Sequence, residues 1–190
     1  MKTELRKEIL KKRSSMSFEE IKEKNLMLRS HILKSEAYGK AKRVFSYINM
    51  GFEAETIPIL EQAWRDGKSV AVPVAKQNRE MYFVEIQGFE ELKPTKFGIL
   101  EPEKGKEWEV VPEKDDLFLV PGSVFDTKGN RFGYGGGYYD TYFERHHGFT
   151  KIGLAFELQV REESLPVESF DKPLDYIVTE KRWIGGNKNE

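Results

Sequence analysis

The chain has 190 residues, no cysteine, and 31 basic against 32 acidic side chains. This length suits one medium domain with a real core, and the missing thiols exclude a disulfide framework, a thiolate zinc site and a cysteine nucleophile. A net charge of −1 gives no global basic field for nucleic acid.

In chain order, Met1, Leu5 and Ile9 share one face and predict a helix over residues 2–13. Ser17 followed by Glu20 is a capping-box signature, opening a second helix that runs to about Leu33 with Ile21, Leu28 and Ile32 inward. Val44, Phe45, Tyr47 and Ile48 mark a buried strand within 42–49. A helix is predicted over 57–64, ended by Asp66 and Gly67, and strands at 69–74 and 81–86 flank a turn at 77–80. Residues 88–114, rich in Pro, Gly, Lys and Glu, read as mostly irregular. Leu117–Val120 is a short continuous apolar run, as expected of a central parallel strand covered on both faces. A helix over Tyr138–Arg145 and strands at 152–156 and 176–179 follow, and the tail at 185–190 is expected to fray. No repeat or linker divides residues 1–190, so one domain is expected. The element order predicts a three-layer α/β/α fold with a mostly parallel central sheet. No apolar run approaches the roughly 20 residues of a bilayer span and no signal peptide is readable. A cytoplasmic protein without a membrane partner is expected.

The densest chemistry lies between Val120 and Asp140. Residues 133–137 hold four glycines around Tyr134. A backbone that bare can bring its N–H groups close to a phosphate, and a helix opening at Tyr138 adds its own N–H groups and dipole. No Gly-Lys-Ser/Thr closes the loop, and Tyr138 occupies the last glycine of G-x-G-x-x-G, so neither a Walker ATPase nor a standard dinucleotide site is supported. Arg131 is a candidate phosphate partner. Asp140 suits either a Mg²⁺ ligand or an acid that stabilises the helix start. Lys2 and Arg6 share a helix face, which is either solvated or built around an anion. Residues 47–56 leave a strand and enter a helix at the ligand edge of an open sheet. Glu53 there suits the N–H groups of a heterocycle, with Ile48 and Met50 against the ring, while Glu55 and Thr56 equally suit helix capping. Adjacent His146 and His147 point about 100° apart on a helix and do not readily share one metal.

The run Val-Pro-Gly-x-x-Phe-Asp-x-x-Gly-x-Arg-x-Gly-x-Gly-Gly-Gly-Tyr-Tyr-Asp, residues 120–140, resembles the signature of the 5-formyltetrahydrofolate cyclo-ligases, also called methenyltetrahydrofolate synthetases. Lys2, Leu5, Arg6 and Lys7, residues 47–56, residues 97–102, and Asp171 with Asp175 are similar to shorter family elements in the same order. The resemblance implies a Rossmann-like, sugar-isomerase/CoA-transferase-like sheet. It implies ATP- and Mg²⁺-dependent closure of 5-formyltetrahydrofolate to 5,10-methenyltetrahydrofolate, with release of ADP and phosphate. ATP contacts are implied at Lys2, Thr3, Glu4, Leu5 and Arg6, and at Arg131, Phe132, Gly133, Tyr134, Gly135, Gly136, Gly137, Tyr138 and Tyr139. Folate contacts are implied at Arg6, Ile48, Met50 and Glu53 and along Tyr134, Gly135, Gly136, Gly137 and Tyr138. Catalytic roles fall to Arg6, Arg131 and Tyr138, and the metal to Asp140 and Asp171. The sequence departs from many relatives at Phe170, where they have His, and from some at Gly136, where they have Lys. The implied partners are the two small-molecule substrates, on a monomer. The alternatives are a phosphosugar-isomerase-like enzyme that uses the loop without ATP, and a non-catalytic folate- or nucleotide-binding protein.

Overall fold

A computed structural model describes residues 1–186; the predicted fraying at 187–190 lies outside the described residues. The chain opens with α1 (Lys2–Ser14) and α2 (Phe18–Leu33). Ser17 caps α2 as predicted, its hydroxyl accepting the Glu20 N–H at 3.1 Å. Ser17→Ala should lower stability by about 1 kcal/mol, read from the urea midpoint at unchanged slope. A short α3 (Glu36–Lys40) leads to β1 (Arg43–Ser46), α4 (Ile57–Arg65) and the hairpin of β2 (Ser69–Ala75) and β3 (Met81–Ile86). Within the segment expected to be irregular, β4 (Leu92–Pro94) and β5 (Leu100–Pro102) form a second hairpin. Three residues per strand are too few to print a readable alternation, so the pairing came from tertiary contact rather than pattern.

The remaining elements are β6 (Leu117–Val120), β7 (Val124–Asp126), β8 (Arg131–Phe132), α5 (Tyr138–Arg145), β9 (Thr150–Leu154), β10 (Val160–Arg161), β11 (Tyr176–Val178) and β12 (Trp183–Gly185). Gly185, expected to fray, instead pairs with Tyr176. None of the described helices is long and apolar enough to cross a membrane.

The main sheet has seven strands in the order β12-β11-β9-β6-β1-β2-β3. Strands β2, β1, β6, β9 and β11 are parallel neighbours, and β3 and β12 add antiparallel edges. Successive side chains of the inner strands alternate between two cores. Val44, Val70, Val72, Leu117, Leu119, Ile152 and Leu154 pack under Leu28, Ile32, Ile59 and Leu60 of α2 and α4. Phe45, Ala71, Phe118, Val120 and Ile177 pack on the other face with Tyr142 and Phe143 of α5. These are the three predicted layers. Phe118 centres the second core, with ring centroids 5.4 Å from Phe45, 4.8 Å from Phe83 and 5.1 Å from Phe143.

The first helix, α1, stands apart from both cores. Its Ile9 packs with Val124, Phe132 and Leu165 over the small sheet β10-β7-β8. The chain therefore leaves β1 toward β2 on one side, while β6 and β9 lie on the other, so the strand order reverses between β1 and β6. In such a sheet a crevice forms beyond the carboxyl ends of the two strands, where ligands bind.

Candidate active site

Between β6 and the glycine loop the chain forms the β7–β8 hairpin. The hairpin is held by Asp126, whose buried carboxylate accepts from the N–H groups of Lys128 and Asn130 and from the Asn130 amide, each at 2.9 Å. It also accepts from the Leu165 N–H at 2.8 Å. Strand β8 then delivers Arg131 and Phe132 beside α1 and opens the loop. Gly135 (φ +101°) and Gly137 (φ +70°) take left-handed conformations that few other residues tolerate, and Gly137 starts α5. The first N–H groups of α5, at Tyr138, Tyr139 and Asp140, have no intrahelical acceptor.

The loop borders a cleft of about 510 Å³ at the switch point. It brings together Lys2, Arg6, Ile48, Met50, Glu53, Arg131, Phe132, the glycine loop, Tyr138, Tyr139, Asp140 and Asp171. Thr3, Glu4 and Leu5 are not among its walls. At about 100° per residue only Lys2 and Arg6 of the first turns face the cleft. Glu4 instead pairs with the amino terminus at 2.9 Å, and Leu5 packs against the Ile9 cluster.

The basic face of α1 is occupied rather than merely solvated. Arg6 Nε donates to the Gly133 carbonyl at 2.8 Å, and Arg13 Nη1 donates to the Tyr134 hydroxyl at 3.0 Å. Lys2 Nζ donates to Glu168 at 2.8 Å and lies 3.7 Å from Asp171. On the opposite side, the Tyr138 hydroxyl donates to the Lys76 carbonyl at 2.7 Å, fastening the loop to the β2–β3 turn.

Arg131 forms part of the cleft wall with a side chain only 3% exposed. Its Nη2 is 3.5 Å from Asp140 Oδ1, its guanidinium sits 5.4 Å from the Tyr139 ring centre, and its Nε has no partner. Burial pushes its pKa down, offset by the nearby Asp140 charge. A buried cation with an unspent donor on a cleft wall is a natural anion receptor. Asp140 Oδ1 also accepts the Lys172 N–H at 3.1 Å, so Asp140 does more than charge a helix start. Asp171 Oδ2 accepts the Glu168 N–H at 2.8 Å. The described residues contain no cluster of three metal-ligating side chains. Asp140 and Asp171 on one cleft wall are nevertheless the donor type of Mg²⁺, which ordinarily takes one or two protein carboxylates and completes its shell with phosphate oxygens and water.

The loop after β1 adds Ile48, Met50 and Glu53 to the cleft wall. The Tyr47 hydroxyl donates to the Ala54 carbonyl at 2.7 Å, closing the loop after β1. The cap of α4 comes from Asn49, whose Oδ1 accepts the Thr56 and Ile57 N–H groups at 3.0 and 3.3 Å. Thr56 does not cap by its side chain; its hydroxyl donates to the Tyr47 carbonyl at 2.8 Å. Glu53 Oε2 accepts the Met50 N–H at 2.8 Å. Burial pushes the Glu53 carboxyl up, with the Met50 N–H and Tyr134 opposing that rise. Burial and the Glu53 charge push Tyr134 up to about 12.

Sequence reasoning missed the walls supplied by the two hairpins: Arg79 and Met81 from the first, Ile99, Leu100 and Glu101 from the second. The match at 97–102 pointed to the second hairpin without assigning it a task. Arg79 gave no sequence signal, although it takes a left-handed φ of +60° and its guanidinium lies 3.2–3.3 Å from where a Gly137 side chain would begin. Phe170, at the His-to-Phe departure, is on the cleft wall and 53% exposed.

The 5-formyltetrahydrofolate cyclo-ligase family model matches residues 1–180. A probable 5-formyltetrahydrofolate cyclo-ligase of Caenorhabditis elegans is 31% identical over 97% of this chain and 95% of its own length. The Mus musculus 5-formyltetrahydrofolate cyclo-ligase is 32% identical over 93% of this chain and 92% of its own. The solved 5,10-methenyltetrahydrofolate synthetase of Aquifex aeolicus superposes with a TM-score of 0.85 at 32% identity, covering 100% of this chain and 94% of that one. A Mycoplasma pneumoniae synthetase at 22% identity and TM-score 0.73 shares the fold. With its signature glycine loop at the switch point of a mostly parallel sheet, the chain belongs to the 5-formyltetrahydrofolate cyclo-ligase family.

Proposed function

We infer that this chain converts 5-formyltetrahydrofolate to 5,10-methenyltetrahydrofolate, with ATP as the phosphoryl donor and Mg²⁺ as its metal. The observation that carries the reading is a single cleft that holds two kinds of chemistry. Its wall brings the buried Arg131, Arg6, the glycine loop and two carboxylates together with Ile48, Met50 and Glu53.

A formamide oxygen is a weak nucleophile and a poor leaving group. Attack of that oxygen on the γ-phosphorus of ATP breaks the bond to ADP and leaves an imidate phosphate. The neighbouring amine nitrogen then attacks the formyl carbon and loses its proton, and the carbon–oxygen bond breaks to release phosphate. Catalysis of this kind rests on positioning and charge stabilisation, not on a nucleophilic side chain. Arg131 and the N–H groups opening α5 face the charge that develops on the transferred group. Arg6 holds the loop through the Gly133 carbonyl. The Tyr138 hydroxyl is committed to Lys76, so Tyr138 acts by fixing the loop and by its ring and backbone. Glu53 accepts N–H groups of the folate ring while Ile48 and Met50 pack on its faces. Asp140 and Asp171 would hold Mg²⁺, which when bound neutralises phosphate charge.

The direct test is the near-ultraviolet absorbance of the methenyl product on adding MgATP and 5-formyltetrahydrofolate. Folate binding with no absorbance rise would favour a non-catalytic binding protein, and no folate-dependent ADP release under any condition would remove the ATP-driven reading. Asp140→Asn should raise the Mg²⁺ concentration for half-maximal rate by about tenfold. An unchanged Mg²⁺ dependence would return Asp140 to its structural bond with Lys172.

A further inference from the structure

Arg13 is a buried cation without an acid. It is only 7% exposed, its Nε has no partner, and none of the ion pairs among the described residues includes it. Burying a guanidinium without a carboxylate is unfavourable unless its charge is used elsewhere. Its one side-chain bond goes to the Tyr134 hydroxyl at 3.0 Å, with the guanidinium 6.0 Å from the Tyr134 ring centre. Tyr134 is part of the cleft wall and Arg13 is not. Arg13 lies seven residues beyond Arg6, two helical turns, so both reach the glycine loop from one face of α1.

The direction of this bond has a consequence. A guanidinium only donates, so it fills an acceptor position on the Tyr134 oxygen and leaves the single hydroxyl proton for another acceptor. The Gly122 carbonyl lies 3.4 Å from the Tyr134 hydroxyl, and the Glu53 carboxylate is near enough for its charge to push Tyr134 up. The ionisable groups around Glu53 are Tyr134 and Arg13, with Tyr47 from the end of β1 and Tyr139 from α5. Arg13 is the only one among them that carries positive charge, and it opposes the effect of burial on the Glu53 carboxyl.

We propose that Arg13 is a positioning residue for the folate site: through its bond to the Tyr134 hydroxyl it fixes that side chain on the cleft wall that Glu53 shares and sets a buried positive charge behind it, so that Glu53 is held to accept N–H groups of the substrate ring. The proposal rests on the reading of Glu53 as a folate contact. Removing the cation raises the Glu53 carboxyl further, so Glu53 takes up its proton at a higher pH as the medium is acidified.

The experiment measures KM for 5-formyltetrahydrofolate and for ATP against pH in the full chain and in Arg13→Met, Arg13→Lys, Tyr134→Phe, Glu53→Gln and the Arg13→Met/Tyr134→Phe double variant. Arg13→Met should raise the folate KM by about tenfold near neutral pH and leave the ATP KM within about twofold. The acid-side rise in folate KM should begin at a higher pH than in the parent protein. Arg13→Lys keeps the charge but not the fork, so it should restore the pH profile while folate KM stays raised. The double variant should lose little more than its worse single variant, because the two side chains act in series. A merely structural Arg13 would lower the melting temperature and raise both KM values without moving the pH profile, which would overturn the proposal. Should Arg13→Met not fold, Arg13→Lys still decides: a displaced pH profile with charge retained would overturn it. If Glu53→Gln leaves the folate KM unchanged, the folate reading of Glu53 falls and takes the inference with it. If Glu53→Gln raises that KM while Arg13→Met does not, the inference alone falls.

Discussion

Arg131→Ala is expected to lower kcat/KM for ATP by about 10²–10³ while changing folate binding far less. The magnitude follows from where the guanidinium sits. It is almost wholly withdrawn from solvent, its Nε is unspent, and Asp140 lies 3.5 Å from Nη2. In a site of that kind, a charge aimed at a phosphoryl group acts at low effective dielectric and needs no reorganisation when charge develops. Arg131→Lys should recover only part of the loss, because a single ammonium cannot replace a planar fork that also stacks on Tyr139. The cleft lets water into the vacated space, so the melting temperature should move little compared with the rate. Separate KM values for ATP and folate, with a thermal melt on each variant, check this. Unchanged ATP kinetics would mean that the loop and Arg131 serve some other anion.

Asp126→Ala should destabilise the chain by about 3–5 kcal/mol. Its carboxylate is fully buried and gathers four donors from three residues. Each buried N–H left unpaired costs about 1–3 kcal/mol, and charge-assisted bonds lie at the upper end. Asp126→Asn keeps the shape and part of the acceptor capacity, and should fall between. Because the β7–β8 hairpin aims Arg131 into the cleft, Asp126→Ala should also weaken ATP use in whatever fraction stays folded. Urea unfolding of the three proteins measures the order. A loss below about 1 kcal/mol would mean that water replaces the carboxylate among these donors. Asp126 thus stands in the signature for architecture, and Arg131 in the same stretch is the proposed phosphate partner.

The local elements were written in short-range pattern. The unbroken apolar run Leu117–Val120 is the central strand, flanked on both sides by parallel neighbours and buried at every position. Ser17 and Glu20 marked the start of α2, and the glycines of residues 133–137 marked the loop before α5. Periodicity, capping and backbone freedom depend on residues a few positions apart, so one sequence suffices to read them. Residue chemistry pointed to Lys2, Glu53 and Asp140 and family resemblance added Asp171, all of which the structure brings to one cleft.

What the sequence left undecided is which way each helix turns and which distant hairpin closes the site. Lys2 and Arg6 face the cleft and Thr3, Glu4 and Leu5 do not, because α1 rests its Ile9 on the small β7–β8–β10 sheet and that contact sets its rotation. Arg79, Leu100 and Glu101 enter the wall only because strand order places the β2–β3 hairpin beside β1, and the β4–β5 hairpin docks on β2, where Glu101 accepts the Ala75 N–H at 3.3 Å. Arg13 meets Tyr134 across 121 positions of chain. Its burial without an acid, and its bond to Tyr134 on the cleft wall, exist only in the packed molecule. Local pattern fixes which elements form, since their hydrogen bonds close within themselves or along one strand. The meeting of side chains on different elements depends on sheet order and helix rotation, which the burial of the whole apolar surface selects at once.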